Sequence, residues 1–239
     1  MPFDFLNHQH YSIDYSNLFD VLNSQEILSD ENIQIQYLKI WMKSLEHHDN
    51  IIKNELKTQE SIFKLKLMLQ SEPEIFQLPM NHQNIEVLLH FRASIANQII
   101  SEYKSESQCQ FIPLDEFVQK NSVFNWTPVN INVDAYSNSK KPIILVPFLN
   151  NQYSYLVIDG NHRLTYKTRN NINDIHAIII SEQTVIEHSL FSSSFDKFYY
   201  IMFNELNHMA NATHHKKANA LQLIQKSYLT DGNFKFLDE

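Results

Sequence analysis

Apolar residues in the first part of the chain recur at helical spacing. From about Ser29 to Gln70, the positions Leu38, Trp41, Leu45, Ile52, Leu56, Ile62, Leu65 and Leu69 fall on one stripe. Ser29 or Asp30 can cap the start, and Pro73 forbids continuation. A second helical stretch is expected from Asn84 to Tyr103, with Ile85, Leu88, Arg92, Ile95, Ile99 and Tyr103 on one side. The two stripes are expected to pack on each other and on an aromatic-rich start, Phe3, Phe5, Tyr11 and Phe19.

The period changes in the middle of the chain. PIILVPF (Pro142–Phe148) and YSYLVI (Tyr153–Ile158) are β-branched and aromatic runs split by a polar segment, which predicts two adjacent strands. DIHAIII (Asp174–Ile180) is a third strand of the same kind. Between the last two lies GNHRLTYKTRNN, a short helix by spacing that ends in an Asn pair suited to a C-terminal turn. Beyond Ser192 the pattern is helical again. Phe195, Phe198, Tyr199, Met202, Leu206 and Met209 form one face capped by Ser194, and Thr213 can cap a final helix carrying Leu221, Ile224 and Tyr228. The expected class is therefore α+β. The expected organisation is a helical region over 1–108, a small mixed-sheet domain over 109–188, and C-terminal helices over 189–239.

Composition narrows the function classes. The chain has 239 residues, 43% hydrophobic and 19% charged, which suits a folded protein with a proper core. Its apolar runs are strand-sized, too short for a membrane span. The start, MPFDFLNHQH, lacks the basic and apolar stretches of a secretion signal, so a cytoplasmic protein without membrane partners is expected. A single cysteine, Cys109, excludes an internal disulfide and is expected to pack as a small apolar residue. The formal charge of −8 disfavours nucleic acid as a partner, and the pairs Lys140–Lys141 and Lys216–Lys217 read as solvated surface. The histidines His47, His48, His208, His214 and His215 show no ligand spacing with a carboxylate.

Glycine and arginine are scarce. Only two glycines occur, Gly160 and Gly232, and three arginines, Arg92, Arg163 and Arg169. One of each falls within VIDGNHRLTY (Val157–Tyr166). In such a segment the strand ends at Asp159, Gly160 allows a sharp turn, and Asn161, His162 and Arg163 occupy a first helical turn. The free N–H groups and positive dipole end of that turn attract anions. Arg163 adds a fork for two phosphate oxygens, His162 another donor, and Thr165 a hydroxyl. Asp159, a carboxylate beside an anion site, suggests a base, a Mg²⁺ ligand or a lock for the arginine. The plainer alternative is that Asp159 caps the helix and pairs with Arg163 while His162 is a surface residue.

The segment DGNHR (Asp159–Arg163), preceded by YLVI, resembles the phosphate-binding motif of the ParB/sulfiredoxin superfamily. KPIILVPF (Lys141–Phe148), FIPLDEF (Phe111–Phe117) and INDIHAIII (Ile172–Ile180) are similar to the strands around that motif, so the resemblance spans roughly residues 110–185. It implies a small mixed sheet that binds nucleotide phosphates through Gly160, Asn161, His162, Arg163 and Thr165. Asp159 and His162 are the implied catalytic residues, with ATP or CTP and Mg²⁺ as cofactors. Asn161 stands where the sulfiredoxin branch carries cysteine, so sulfinic acid reduction is not expected. The glutamate of the free serine kinases has no counterpart between Phe117 and Asp159. The E-N-x-Q-R motif of the CTP clamps has none in the chain. The expected function is a Mg²⁺-dependent phosphotransferase or nucleotide hydrolase acting on a nucleotide or phosphorylated small molecule. The alternatives are a non-catalytic DNA- or partner-associated nucleotide switch and a ParB-like nuclease.

Overall fold

The computed structural model describes every residue except 1, 6, 8, 72–74, 103–108, 151 and 237–239, with backbone alone for 68–71. In chain order the elements begin with β1 (Phe3–Asp4), β2 (Gln9–His10), α1 (Tyr15–Asn23), α2 (Glu31–Glu55) and α3 (Gln59–Ser71). Then come β3 (Ile75–His82), β4 (Ile85–Arg92), α4 (Ala93–Glu102), β5 (Gln110–Ile112), α5 (Leu114–Val118) and β6 (Phe124–Asn125). A 3-10 turn (Asp134–Tyr136) precedes β7 (Ile143–Pro147), β8 (Tyr155–Asp159), α6 (Asn161–Arg169) and β9 (Ile175–Ile179). The chain closes with α7 (Glu182–Glu187), α8 (Ser194–His214), α9 (Ala220–Lys226) and α10 (Tyr228–Asp231). The fold is α+β. Among the described residues no helix is long and apolar enough to cross a membrane.

Two compact units emerge, and they group the chain differently from the three expected segments. One joins residues 1–91 with 191–239; the other is Arg92–Leu190. The first and last segments thus share one unit. Within it α2 packs on α1 and α8. Asp30 caps α2 through Ile33 N, and Leu38, Trp41, Leu45 and Ile52 are buried as their spacing predicts. The expected single stretch breaks at Leu56–Thr58, where α2 gives way to α3. Pro73, its expected stop, and Tyr103 lie outside the described residues.

The expected helix from Asn84 is a strand as far as Arg92, and only Ala93–Glu102 is helical. Ile85, Val87, Leu88, Leu89, His90 and Phe91 are all buried, so no polar face distinguishes a period of 3.6 from one of 2. Gln83, at φ +53°, and Asn84 make the two-residue turn that pairs this strand with β3. In the C-terminal part Phe195, Tyr199, Met202, Leu206 and Met209 form the buried face of α8. Its cap is Ser193 rather than Ser194. Thr213 lies inside α8, donating to Ile27 O, and Asn219 caps α9 by accepting from Gln222 N while its own N–H donates to Gln222 Oε1. Leu221 is exposed. A stripe continued through residues 213–229 hid the break after His214.

The second unit holds a five-stranded mixed sheet in the order β5-β9-β7-β8-β6. β7 pairs antiparallel with β8 and parallel with β9, while β5 and β6 flank them at the edges. Ile143, Leu145, Val157, Ile175 and Ala177 join Leu164 of α6, Ile112, Phe117 and Phe124 in one core. The alternate residues Ile144, Val146, Leu156, Ile158 and Ile178 are buried too. Both faces of the central strands are therefore covered, which accounts for their nearly unbroken apolar runs. Cys109, expected to pack, is exposed next to β5.

Candidate functional site

Strand β8 ends at Asp159, and α6 begins at Asn161, with Gly160 as the single residue between. Gly160 adopts φ +100°, a left-handed conformation that side chains rarely take. A Cβ there would come within 2.5 Å of Ile143 Cγ2 and 2.9 Å of Arg163 Nη2. Glycine is thus required twice, by conformation and by space. The turn brings the arginine back against its own start and supplies no side-chain cap to the first N–H groups of α6. A register shift between Ile144 and Leu145 of β7 lies opposite the end of β8, where Ile144 faces Asp159.

Asp159 is the hub. Its Oδ2 lies 3.2 Å from Arg163 Nη2 and 3.5 Å from Lys141 Nζ, and it accepts a hydrogen bond from Asn97 Nδ2 at 3.3 Å. The other oxygen, Oδ1, takes no partner among the described residues. Arg163 Nη2 also donates to Pro142 O at 3.1 Å. Its side chain is only 9% exposed, and its Nε is buried with no hydrogen-bond partner among the described residues. A guanidinium presents five donors in a fixed fork, and here only Nη2 is engaged among the described residues, which leaves capacity for an acceptor.

The remaining motif residues divide between two tasks. Asn161 Oδ1 accepts from Thr127 N at 2.8 Å, and its Nδ2 donates to Val157 O. Thr165 Oγ1 accepts from Val129 N at 3.1 Å and donates to Asn161 O. Arg169 donates to Val129 O and Ile131 O. Asn161, Thr165 and Arg169, four residues apart in turn, therefore form a polar stripe of α6 that pins the loop after β6. The side chains of Asn161 and Thr165 are spent on that loop, so of the two an anion would meet only the first-turn backbone N–H of Asn161. The ring of half-buried His162 stacks on Tyr136 at 5.3 Å, which draws the 3-10 turn onto the first turn of α6.

Lys141 and Asn97 enter the site without a signal in the motif. Lys141 reads as one of a surface pair, and Asn97 sits on a different element. Only tertiary folding brings either to Asp159. The stripe Asn161, Thr165, Arg169 was readable, since polar residues four apart on a short helix share a face.

The donor set speaks against a resident divalent ion. Asp159 already faces two cations, and among the described residues no group of three or more His, Cys, Asp or Glu side chains lies together. The histidines pack in aromatic contacts instead, His47 on His48, His214 on His215, and His208 on Phe234 and Phe236. No family model, curated protein or solved structure matches this chain.

Proposed function

We propose that this chain binds the phosphates of a nucleotide at the start of α6 and catalyses phosphoryl transfer or nucleotide hydrolysis there, as a ParB/sulfiredoxin-like protein. One observation carries the reading. Gly160, held where no Cβ fits, seats Nη2 of a nine-tenths-buried arginine against the uncapped start of α6, and Nη1 takes no partner among the described residues. Backbone N–H groups, a helix dipole and a guanidinium converging on one spot suit a phosphate dianion. Phosphoryl transfer depends largely on positioning and charge neutralisation, which this arrangement supplies. Asp159 has one carboxylate oxygen engaged and the other open, a geometry that suits it to receive a proton from the attacking group. Magnesium, where the reaction uses it, arrives with the nucleotide, because the residues present do not build a site for it.

A second reading, a non-catalytic nucleotide switch, is favoured by the three donors on Asp159 Oδ2. In that case the carboxylate only orients Arg163. Thermal shift with ATP, CTP and inorganic phosphate, each with and without Mg²⁺, tests the binding claim, since a ligand of the native state raises Tm. A phosphate-release assay then separates the two readings. Release above the rate without protein supports the enzyme, and binding without release supports the switch.

A further inference from the structure

Two cations face one carboxylate at the start of α6, and they differ in freedom. Arg163 is 9% exposed and tied to Pro142 O, whereas Lys141 is 46% exposed and, among the described residues, pairs only with Asp159, at 3.5 Å. An exposed pair of that kind is weak, because water screens it and the long side chain loses rotamer freedom in holding it. Lys141 can therefore leave Asp159 for another anion at little cost.

The chain also couples the two cations mechanically. The carbonyl that accepts Arg163 Nη2 belongs to Pro142, the residue after Lys141, so one short segment places both charges. Pro142 restricts the backbone of Lys141 to extended conformations, which limits where its side chain can start.

We propose that Lys141 is the second cationic ligand of a terminal phosphate, and that Asp159 stands in for that phosphate until it arrives. The inference rests on the reading of the α6 start as a phosphate site. It also specifies the ligand class. With its side chain only 9% exposed, Arg163 offers a narrow approach that suits a group at the end of a molecule. A terminal phosphate of a nucleoside triphosphate or of pyrophosphate meets that condition, and an internal phosphodiester flanked on both sides by sugar does not. Arg163 Nη1, which takes no partner among the described residues and is not among its fully buried atoms, is the donor such a group would engage.

The test is calorimetric titration of the full chain and its Lys141→Gln, Lys141→Arg and Arg163→Ala variants. The probes are CTP, ATP, pyrophosphate and a short single-stranded oligonucleotide lacking terminal phosphates, each at two salt concentrations. The expected result is triphosphate binding that weakens about tenfold in Lys141→Gln, with a smaller salt dependence, and recovers in Lys141→Arg. The oligonucleotide should bind weakly to every form. Unchanged affinity and salt dependence in Lys141→Gln, with binding lost in Arg163→Ala, would overturn the role of Lys141 and leave the site standing. Oligonucleotide binding as tight as that of CTP would overturn the terminal-phosphate assignment. If the unaltered chain binds none of the phosphates, the site reading fails and this inference fails with it.

Discussion

The carboxylate of Asp159 and the guanidinium of Arg163 meet at 3.2 Å across a turn whose middle residue, Gly160, leaves no room for a Cβ. The pair joins the end of a central strand to the first turn of a helix. Any substituent on the glycine must displace the arginine or the core residue Ile143. Backbone strain, core packing and the candidate chemistry are therefore linked at one position.

Gly160→Ala should for that reason destabilise the second unit. The left-handed conformation of a non-glycine residue costs on the order of 1–3 kcal/mol, and the clash with Ile143 adds to it. Denaturant unfolding should show a lower midpoint, whereas Gly232→Ala, with open space around its Cβ, should cost less. Equal effects of the two substitutions would contradict the crowding at Gly160.

The polar stripe of α6 predicts a separation between loop order and anion binding. Asn161→Ala and Thr165→Val should each cost about 1 kcal/mol and raise hydrogen exchange in the loop around Thr127 and Val129. Nucleotide affinity should fall less in these variants than in Arg163→Ala. A loss as large as that of Arg163→Ala would mean that the two side chains turn from the loop to the ligand.

Asp159→Asn addresses catalysis. The change keeps shape while removing a negative charge beside the proposed phosphate, so affinity should be retained or rise and turnover should fall. Steady-state phosphate release measured alongside calorimetry reads both quantities. A parallel loss of affinity and turnover would assign Asp159 to holding Arg163 alone.

A pH dependence is expected from the other unit. Burial lowers the pKa of His82, whose Nε2 lies 2.5 Å from Tyr199 Oη, below the usual 6.5. Burial pushes His90 in the same direction. The unfolded chain therefore binds more protons than the folded one once the pH falls below about 6.5. Stability should be complete above that pH and decline as it drops toward the folded-state pKa values. Urea unfolding between pH 7.5 and 5 should show a falling midpoint, with a flatter profile in His82→Asn. A midpoint that holds steady over this range would contradict the buried neutral histidine.

Much of the second unit was legible in the chain. Leu156–Ile158 ends in an acid and a lone glycine, and the following NHRLTYKTRNN carries one Leu on the sheet side and an Asn pair at its end. Asn170 caps α6 and Asn171 takes φ +51°, as that pair suggests. The β4 strand was not legible, because IEVLLHFR is buried at every position but Glu86 and Arg92 and its apolar residues fit a helical stripe equally well. The partners of Asp159 were half legible. Arg163 is four residues away across the strand-to-helix turn, while Lys141 and Asn97 reach it through the sheet and α4, which no local spacing records. The shared unit of the two terminal segments is likewise a matter of long-range packing.

The central claim is that Arg163 at the start of α6 holds a phosphate, and calorimetric titration of CTP and ATP into the unaltered chain and Arg163→Ala tests it most directly. Lys141 and Asn97 still hold Asp159 in that variant, so it should fold, as checked by circular dichroism. Charge-assisted hydrogen bonds are worth roughly 1.5–3 kcal/mol each, so affinity should fall by about tenfold or more. Nucleotide affinity that is unchanged in the folded Arg163→Ala protein would contradict the claim, leaving Asp159 and Arg163 as a structural pair that fixes a turn.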